Sequence, residues 1–137
     1  MYSKRKKPPT ILVVEDEPTI RALAEAIIEA RGYKTLSAAT AREAVALLER
    51  ENSVDLLFTD IVLPDGPEAI DGLELARRAG ALRPGMRVVY TSGGGRTDGL
   101  AALFVDNAIF LAKPYTNDQL IEALEDAFAI DKSRASA

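Results

Sequence analysis

Three carboxylates of this 137-residue chain stand directly after short apolar runs. Glu15 and Asp16 follow residues 11–14, and Asp60 follows residues 54–59. The chain contains neither histidine nor cysteine, so its chemistry depends on carboxylates, hydroxyls, lysines and backbone. Two carboxylates about 4 Å apart repel by roughly 4 kcal/mol at an effective dielectric near 20. If the three meet, the cluster needs a shared proton or a cation, and a hard ion such as Mg²⁺ suits ligands that are all oxygen.

A lysine and two adjacent hydroxyls stand at the ends of two further apolar runs. Thr91 and Ser92 end the run that begins at residue 87, and Lys113 follows residues 109–112. The ammonium group of Lys113 is suited to a phosphate, and a hydroxyl adds a hydrogen-bond donor. Because side chains alternate along a strand, only one of the two hydroxyls can face a common site. Acidic, basic and hydroxyl groups together favour phosphoryl transfer to a carboxylate.

The elements that would position these groups alternate regularly along the chain. Short apolar runs predict strands over residues 11–14, 33–37, 54–59, 87–91 and 109–112. Apolar residues at helical spacing predict five helices, which begin near residues 18, 40, 71, 97 and 116. This order predicts a parallel sheet with helices on both faces, in which ligands bind beyond the carboxyl ends of the strands.

Helix boundaries have their own sequence signals. Pro18 suits a first turn, and Gly32 suits the end of the same helix. Two capping boxes are predicted, one from Thr40 with Glu43 and one from the threonine and glutamine at residues 116 and 119. Gly99 weakens the helix predicted over residues 97–105.

Composition indicates one soluble domain. The hydrophobic fraction of 47% and the charged fraction of 28% are typical of globular proteins, and no apolar run approaches the length of a bilayer span. We predict a basic flexible tail over residues 1–9, one domain over residues 10–130 and a second tail over residues 131–137. The tail cations Lys4, Arg5, Lys6 and Lys7 favour a solvated segment over a nucleic-acid or membrane contact, because the remaining chain is acidic.

Four motifs resemble the receiver domains of two-component response regulators, which include chemotaxis regulators. They are ILVVEDEP, LLFTD followed by IVLP, VVYTSG and FLAKPYT, in this order, and the resemblance covers about residues 10–130. It implies an α/β, doubly wound, five-stranded parallel sheet of the flavodoxin-like type in the order 2-1-3-4-5, with helices on both faces.

The resemblance also implies a role for each acidic residue. Asp60 is the expected phospho-acceptor, and Asp16 is a direct Mg²⁺ ligand. Glu15, which stands where aspartate is more frequent, is a second acidic ligand acting through water. Val62 is expected to contribute only its backbone carbonyl to the metal.

Phosphate binding and switching are implied for residues of the last two strands. Ser92 and Lys113 are expected to contact the phosphoryl group, with Gly93 leaving space beside Ser92. We favour Ser92 over Thr91 because a small residue follows it. Phe110 matches the aromatic residue that turns inward with the hydroxyl, and the Lys113-Pro114 peptide bond is expected to be cis.

The expected biology follows from the same resemblance. A sensor histidine kinase or a histidine phosphotransfer protein is the expected phosphoryl donor, and homodimerisation on phosphorylation stays open. We predict a cytoplasmic, single-domain switch with no output domain, no nucleic-acid partner and no membrane contact. The protein is not an enzyme in the usual sense, since it would catalyse only its own phosphorylation and dephosphorylation.

Two loops depart from the usual family pattern. The loop over residues 65–72 is long, so Asp65 and Glu68 either approach the metal or are solvated, and we favour solvation. Three glycines at residues 93–95 make the following loop permissive, and we expect it to move.

Two other classes of function stay open. A receiver-like scaffold could bind partners irrespective of phosphate. An enzyme is the other alternative, but an aspartate-nucleophile phosphatase expects an acid where Val62 stands, and a flavoprotein phosphate loop would not carry acidic residues 15–17.

Overall fold

The computed structural model describes residues 7–51, 53–63 and 71–130. The predictions for Lys4, Arg5, Lys6, Asp65 and Glu68, and for the tail over residues 131–137, lie outside these residues. Lys7 is described and is exposed.

The described residues form one five-stranded parallel sheet in the order β2-β1-β3-β4-β5, which confirms the predicted fold. The strands are β1 (Thr10–Val14), β2 (Lys34–Ala38), β3 (Leu56–Asp60), β4 (Arg87–Ser92) and β5 (Ile109–Ala112). Because β1, β3, β4 and β5 run in the same direction, their carboxyl ends meet at one edge.

Five helices connect or follow these strands in the described chain. They are α1 (Pro18–Ala30), α2 (Ala41–Arg50), α3 (Gly72–Leu82), α4 (Asp98–Ala101) and α5 (Asn117–Ala129). The pair Thr116 and Gln119 forms the predicted capping box at α5. Gly32 ends α1 at φ +103°, a conformation that glycine adopts without steric cost.

The core has two apolar layers, because alternate strand residues face opposite sides of the sheet. One layer joins the sheet to α1 and α5, through Val13, Phe58 and Val89. The other joins it to α2, α3 and α4, through Leu57 and Tyr90. Side chains therefore reach the carboxyl edge in two sets, one on each face.

Several boundaries differ from the sequence predictions, most of all the end of the fourth helix. Helix α4 stops at Ala101, because the amides of Leu103 and Phe104 bond to carbonyls three residues back, in tight turns that do not continue the helix. The second strand begins at Lys34, one residue later than predicted, and the third begins at Leu56, two residues later.

Only half of the predicted capping box at α2 forms. The Thr40 hydroxyl accepts from the Glu43 amide, but the Glu43 carboxylate accepts from the Ala39 amide, one residue before the cap. In the chain as described, no helix is both long enough and apolar enough to span a bilayer.

Candidate functional site

Three carboxylates converge at the carboxyl edge of the sheet, as the strand order requires. One oxygen from each of Glu15, Asp16 and Asp60 lies within 4.8 Å of the other two. Glu15 and Asp60 are buried, with 5% and 7% of their surface exposed, whereas Asp16 is exposed. The cluster therefore has two buried carboxylates and one carboxylate that is open to solvent.

Lys113 binds two of these three carboxylates. Its Nζ lies 2.8 Å from Oε1 of Glu15 and 2.8 Å from Oδ2 of Asp60. Burial alone would lower the pKa of Lys113, but the hydrogen bonds to Asp60 and Glu15 outweigh burial and raise the pKa above its usual value. The ammonium thus stays charged and offsets part of the repulsion between the two buried carboxylates. The Lys113-Pro114 peptide bond is cis, as predicted.

The turn after β1 separates the three consecutive acidic residues by role. Glu17 caps α1, where its Oε1 accepts from the amides of Thr19 at 2.8 Å and Ile20 at 3.2 Å. The Glu17 amide in turn donates to Oε2 of Glu15 at 3.0 Å. Glu17 therefore caps the helix, whereas Asp16 joins the acidic cluster.

Arg21 supports the same turn, a contact that the sequence analysis missed. Its Nη1 donates to the backbone carbonyl of Glu15 at 2.8 Å. Arg21 lies on α1, six residues after Glu15, and nothing in the local pattern separates this arginine from an ordinary surface residue. Its guanidinium holds the backbone from which the acidic pair projects.

Gly72 is a second residue that the sequence analysis missed. It is buried at the start of α3, and its amide donates to the carbonyl of Ile61 at 2.8 Å. A Cβ atom at this position would lie 2.1 Å from the backbone oxygen of Asp60. Only a glycine lets the first turn of α3 approach Asp60 this closely.

The adjacent hydroxyls of β4 lie on opposite faces of the sheet. Thr91 is the register partner of Asp60 and shares its face, which is the face of α1 and α5. Ser92 shares the other face with Tyr90, and its Oγ accepts from the Gly94 amide at 3.1 Å. The role assigned to Ser92 in binding phosphate stays a prediction.

Phe110 belongs to an aromatic column beneath the turn after α4. Its ring stacks on Phe104 at 6.0 Å, and Phe104 lies 4.5 Å from the fully buried ring of Tyr90. The Tyr90 hydroxyl accepts from the Val105 amide at 3.2 Å. Since Tyr90 and Phe110 are register partners, the column links β4 and β5 to the segment that follows α4.

An apolar cavity of about 480 Å³ opens beside Lys113. Its lining residues belong to α1 and to the segments that follow β4 and β5: Ile20, Leu23, Ala24, Gly93, Lys113, Pro114 and Tyr115. Leu23 is 60% exposed and Ile20 is 38% exposed, which is unusual for such large apolar side chains.

The acidic residues fit a hard divalent cation. Their ligand atoms are carboxylate oxygens close enough to share one ion, and one carboxylate faces solvent. Val62, whose backbone carbonyl was assigned to the metal, follows β3 with 66% of its surface exposed, and that role stays a prediction.

Sequence comparison places this arrangement among known proteins. The family model described as response regulator receiver domain matches residues 11–125. The chain is 32% identical over 122 residues to the transcriptional regulatory protein GlrR of Escherichia coli, and the match covers 88% of this chain but 26% of that protein. It is 28% identical to sporulation initiation phosphotransferase F of Bacillus subtilis, with 84% of this chain and 90% of that protein covered.

Solved structures agree with the sequence comparison. A CheY-like response regulator receiver domain protein from Methanospirillum hungatei superposes with a TM-score of 0.77 at 30% identity, covering 95% of this chain and 99% of that one. A response regulator receiver protein from Sinorhizobium medicae gives a TM-score of 0.79 at 30% identity, covering 90% and 97%.

Proposed function

Because the chain belongs to the response regulator receiver domain family, we propose that it accepts a phosphoryl group on Asp60 in a Mg²⁺-dependent reaction and thereby switches partner binding. The observation that carries this proposal is the meeting of Glu15, Asp16 and Asp60 with the Lys113 ammonium at one edge of the sheet. This set combines a nucleophilic carboxylate, ligands for a hard cation and a phosphate-binding charge.

The phosphoryl donor lies outside the given residues, since these contain no histidine. We propose a phosphorylated histidine of a sensor kinase or of a phosphotransfer protein, in the cytoplasm. An Asp60 oxygen attacks phosphorus, the P–N bond breaks, and its electron pair returns to the imidazole. Leu23, Ile20 and the cavity beside Lys113 offer that donor an apolar surface next to the acceptor.

Each site residue has a separate task in this reaction. Glu15 and Asp16 would hold Mg²⁺ with Asp60, and the bound ion would neutralise charge on the phosphoryl oxygens. Lys113 exchanges its bond to Asp60 for a phosphoryl oxygen, which bears the negative charge after transfer. Its side chain needs to move little, because Nζ already lies 2.8 Å from Asp60 Oδ2.

Switching would then spread from β4 and β5. Ser92 turns toward the phosphoryl group. Its Oγ then gives up the hydrogen bond that it accepts from the Gly94 amide in this structure. Phe110 repacks within the aromatic column, and α4, β5 and α5 present a changed surface to a partner. Slow hydrolysis of the acyl phosphate, catalysed by the same residues, resets the protein.

The test is phosphorylation by acetyl phosphate with Mg²⁺, measured as intact mass. We expect one phosphate-sized addition, which Asp60→Asn and chelation of Mg²⁺ abolish. Asp126→Asn is the matched control, because Asp126 is an exposed carboxylate in the second half of α5. Absence of the addition in the wild type, or its survival in Asp60→Asn, would contradict the proposal.

A further inference from the structure

Thr91 carries a buried hydroxyl that has no hydrogen-bond partner within the described part of the chain. The residue is 2% exposed, and its Oγ1 is fully buried. A buried polar group without a partner costs free energy, and valine, which has nearly the same shape and favours strands equally, would avoid that cost. Packing alone therefore does not account for a threonine at this position.

The position of Thr91 relates this hydroxyl to Asp60. The two residues are register partners on β4 and β3, and adjacent strands lie about 4.8 Å apart. Their side chains share the face of α1 and α5, since Phe58 and Val89, two residues earlier on each strand, pack in the layer on that face. The Ile61 amide also donates to the Thr91 carbonyl at 2.9 Å, which holds the two strand ends together.

Phosphorylation would leave the Asp60 carboxyl group in need of a hydrogen-bond donor. In this structure Oδ2 of Asp60 accepts from the Lys113 ammonium. When one Asp60 oxygen bonds to phosphorus, the other becomes a neutral carbonyl oxygen, and the negative charge moves to the phosphoryl oxygens. Lys113 follows that charge. The carbonyl oxygen, which would also bind Mg²⁺, then keeps one lone pair without a hydrogen-bond donor.

We propose that Thr91 is a positioning residue for phosphoryl transfer, whose hydroxyl donates a hydrogen bond to the Asp60 carboxyl oxygen that does not bear phosphorus. This inference rests on the proposed function of Asp60. The role differs from that expected of Ser92, which lies on the opposite face and would bind the phosphoryl group itself. The hydroxyl that is unsatisfied in the unmodified protein becomes satisfied in the acyl phosphate.

Two substitutions test the proposal because they change hydroxyl and shape separately. Thr91→Val keeps the shape and removes the hydroxyl, whereas Thr91→Ser keeps the hydroxyl and loses a methyl group. We expect the free energy of unfolding of the unmodified protein to be equal or higher in Thr91→Val and lower in Thr91→Ser. We expect the opposite order for phosphorylation by acetyl phosphate with Mg²⁺. Thr91→Val should slow phosphoryl gain by about threefold or more, and Thr91→Ser should remain near wild type.

Each other outcome has a defined meaning. Phosphorylation of Thr91→Val that is slowed by less than about threefold, or Thr91→Ser as slow as Thr91→Val, overturns the role of the hydroxyl. A lower unfolding free energy in Thr91→Val also overturns it, because the hydroxyl would then be satisfied in the unmodified protein. Failure of the wild type to gain phosphate is a different result, since it rejects the proposed function of Asp60 itself.

Discussion

The Nζ atom of Lys113 lies 2.8 Å from Oδ2 of Asp60, so the expected phospho-acceptor is bound by the expected phosphate ligand. The same ammonium binds Glu15, an expected metal ligand. Lys113 and a divalent cation would therefore draw on the same two carboxylates. A cation that binds in this cluster must share these carboxylates with the ammonium or displace the ammonium from them. The affinity for the metal therefore depends on Lys113.

We expect Lys113→Gln to bind Mg²⁺ several-fold more tightly than wild type, because it removes a competing positive charge from the acidic cluster. The free energy of unfolding without Mg²⁺ should fall by about 1–3 kcal/mol, since two buried carboxylates lose their shared partner. Calorimetric titration with Mg²⁺ and urea unfolding measure the two effects. Lys34→Gln is the control, as Lys34 is an exposed lysine on β2, and equal Mg²⁺ affinity in the two variants would refute the competition.

Gly72→Ala should destabilise the protein by about 1–3 kcal/mol, because the new Cβ atom meets backbone that cannot rotate away. It should also slow phosphorylation by moving the Asp60 backbone. Gly80→Ala makes the same change within α3, where nothing lies within 4 Å of the added atom, and should stabilise by up to about 1 kcal/mol. Urea unfolding of both variants checks the contrast, and similar changes in the two would rule out the close approach as the cause.

Glu15 and Glu17 allow a matched test of which carboxylates bind metal. Glu15→Gln should weaken Mg²⁺ binding by about tenfold, whereas Glu17→Gln should leave it nearly unchanged, because Glu17 caps α1. Glu17→Ala should lower the free energy of unfolding by about 1 kcal/mol through loss of the cap. Calorimetry and thermal unfolding measure these effects, and a large loss of Mg²⁺ affinity in Glu17→Gln would reject this division.

Stability should decline in alkaline solution, in part because of Tyr90. Burial raises the pKa of Tyr90, so the folded state holds the phenol proton more strongly than the unfolded state, whose tyrosine pKa is near 10. This contribution is fully present below about pH 10 and is lost as pH rises through the folded pKa. Tyr90→Phe should therefore show a shallower decline of unfolding free energy above pH 10.

The Tyr90→Phe variant also separates titration from the hydrogen bond. At neutral pH its free energy of unfolding should be lower than that of wild type by about 1 kcal/mol, because the Val105 amide loses its acceptor. Burial is the main cause that raises the pKa values of Tyr33 and Tyr115. These two residues account for the decline of unfolding free energy that remains in the variant. An alkaline decline as steep in Tyr90→Phe as in wild type would show that Tyr90 contributes nothing to it.

The fold could be predicted because its signals are local. Apolar runs that end in polar residues mark the strands, and alternation with helical patterns predicts a parallel sheet. Boundaries were predicted less well where local signals conflict. Helix α4 ends at Ala101, after a glycine and before tight turns, although the apolar pattern continues to Val105.

Residue types and their places at strand ends were determined by the sequence alone: carboxylates after the first and third strands, hydroxyls at the fourth and a lysine after the fifth. The tertiary structure decided which of these groups bind one another. Lys113 is 53 residues from Asp60 and 98 from Glu15, so no local pattern specifies their contact. The same holds for Gly72 against Asp60 and for Thr91 beside it. These pairs depend on strand register and on the approach of α3 to the sheet, which arise only when the whole core packs.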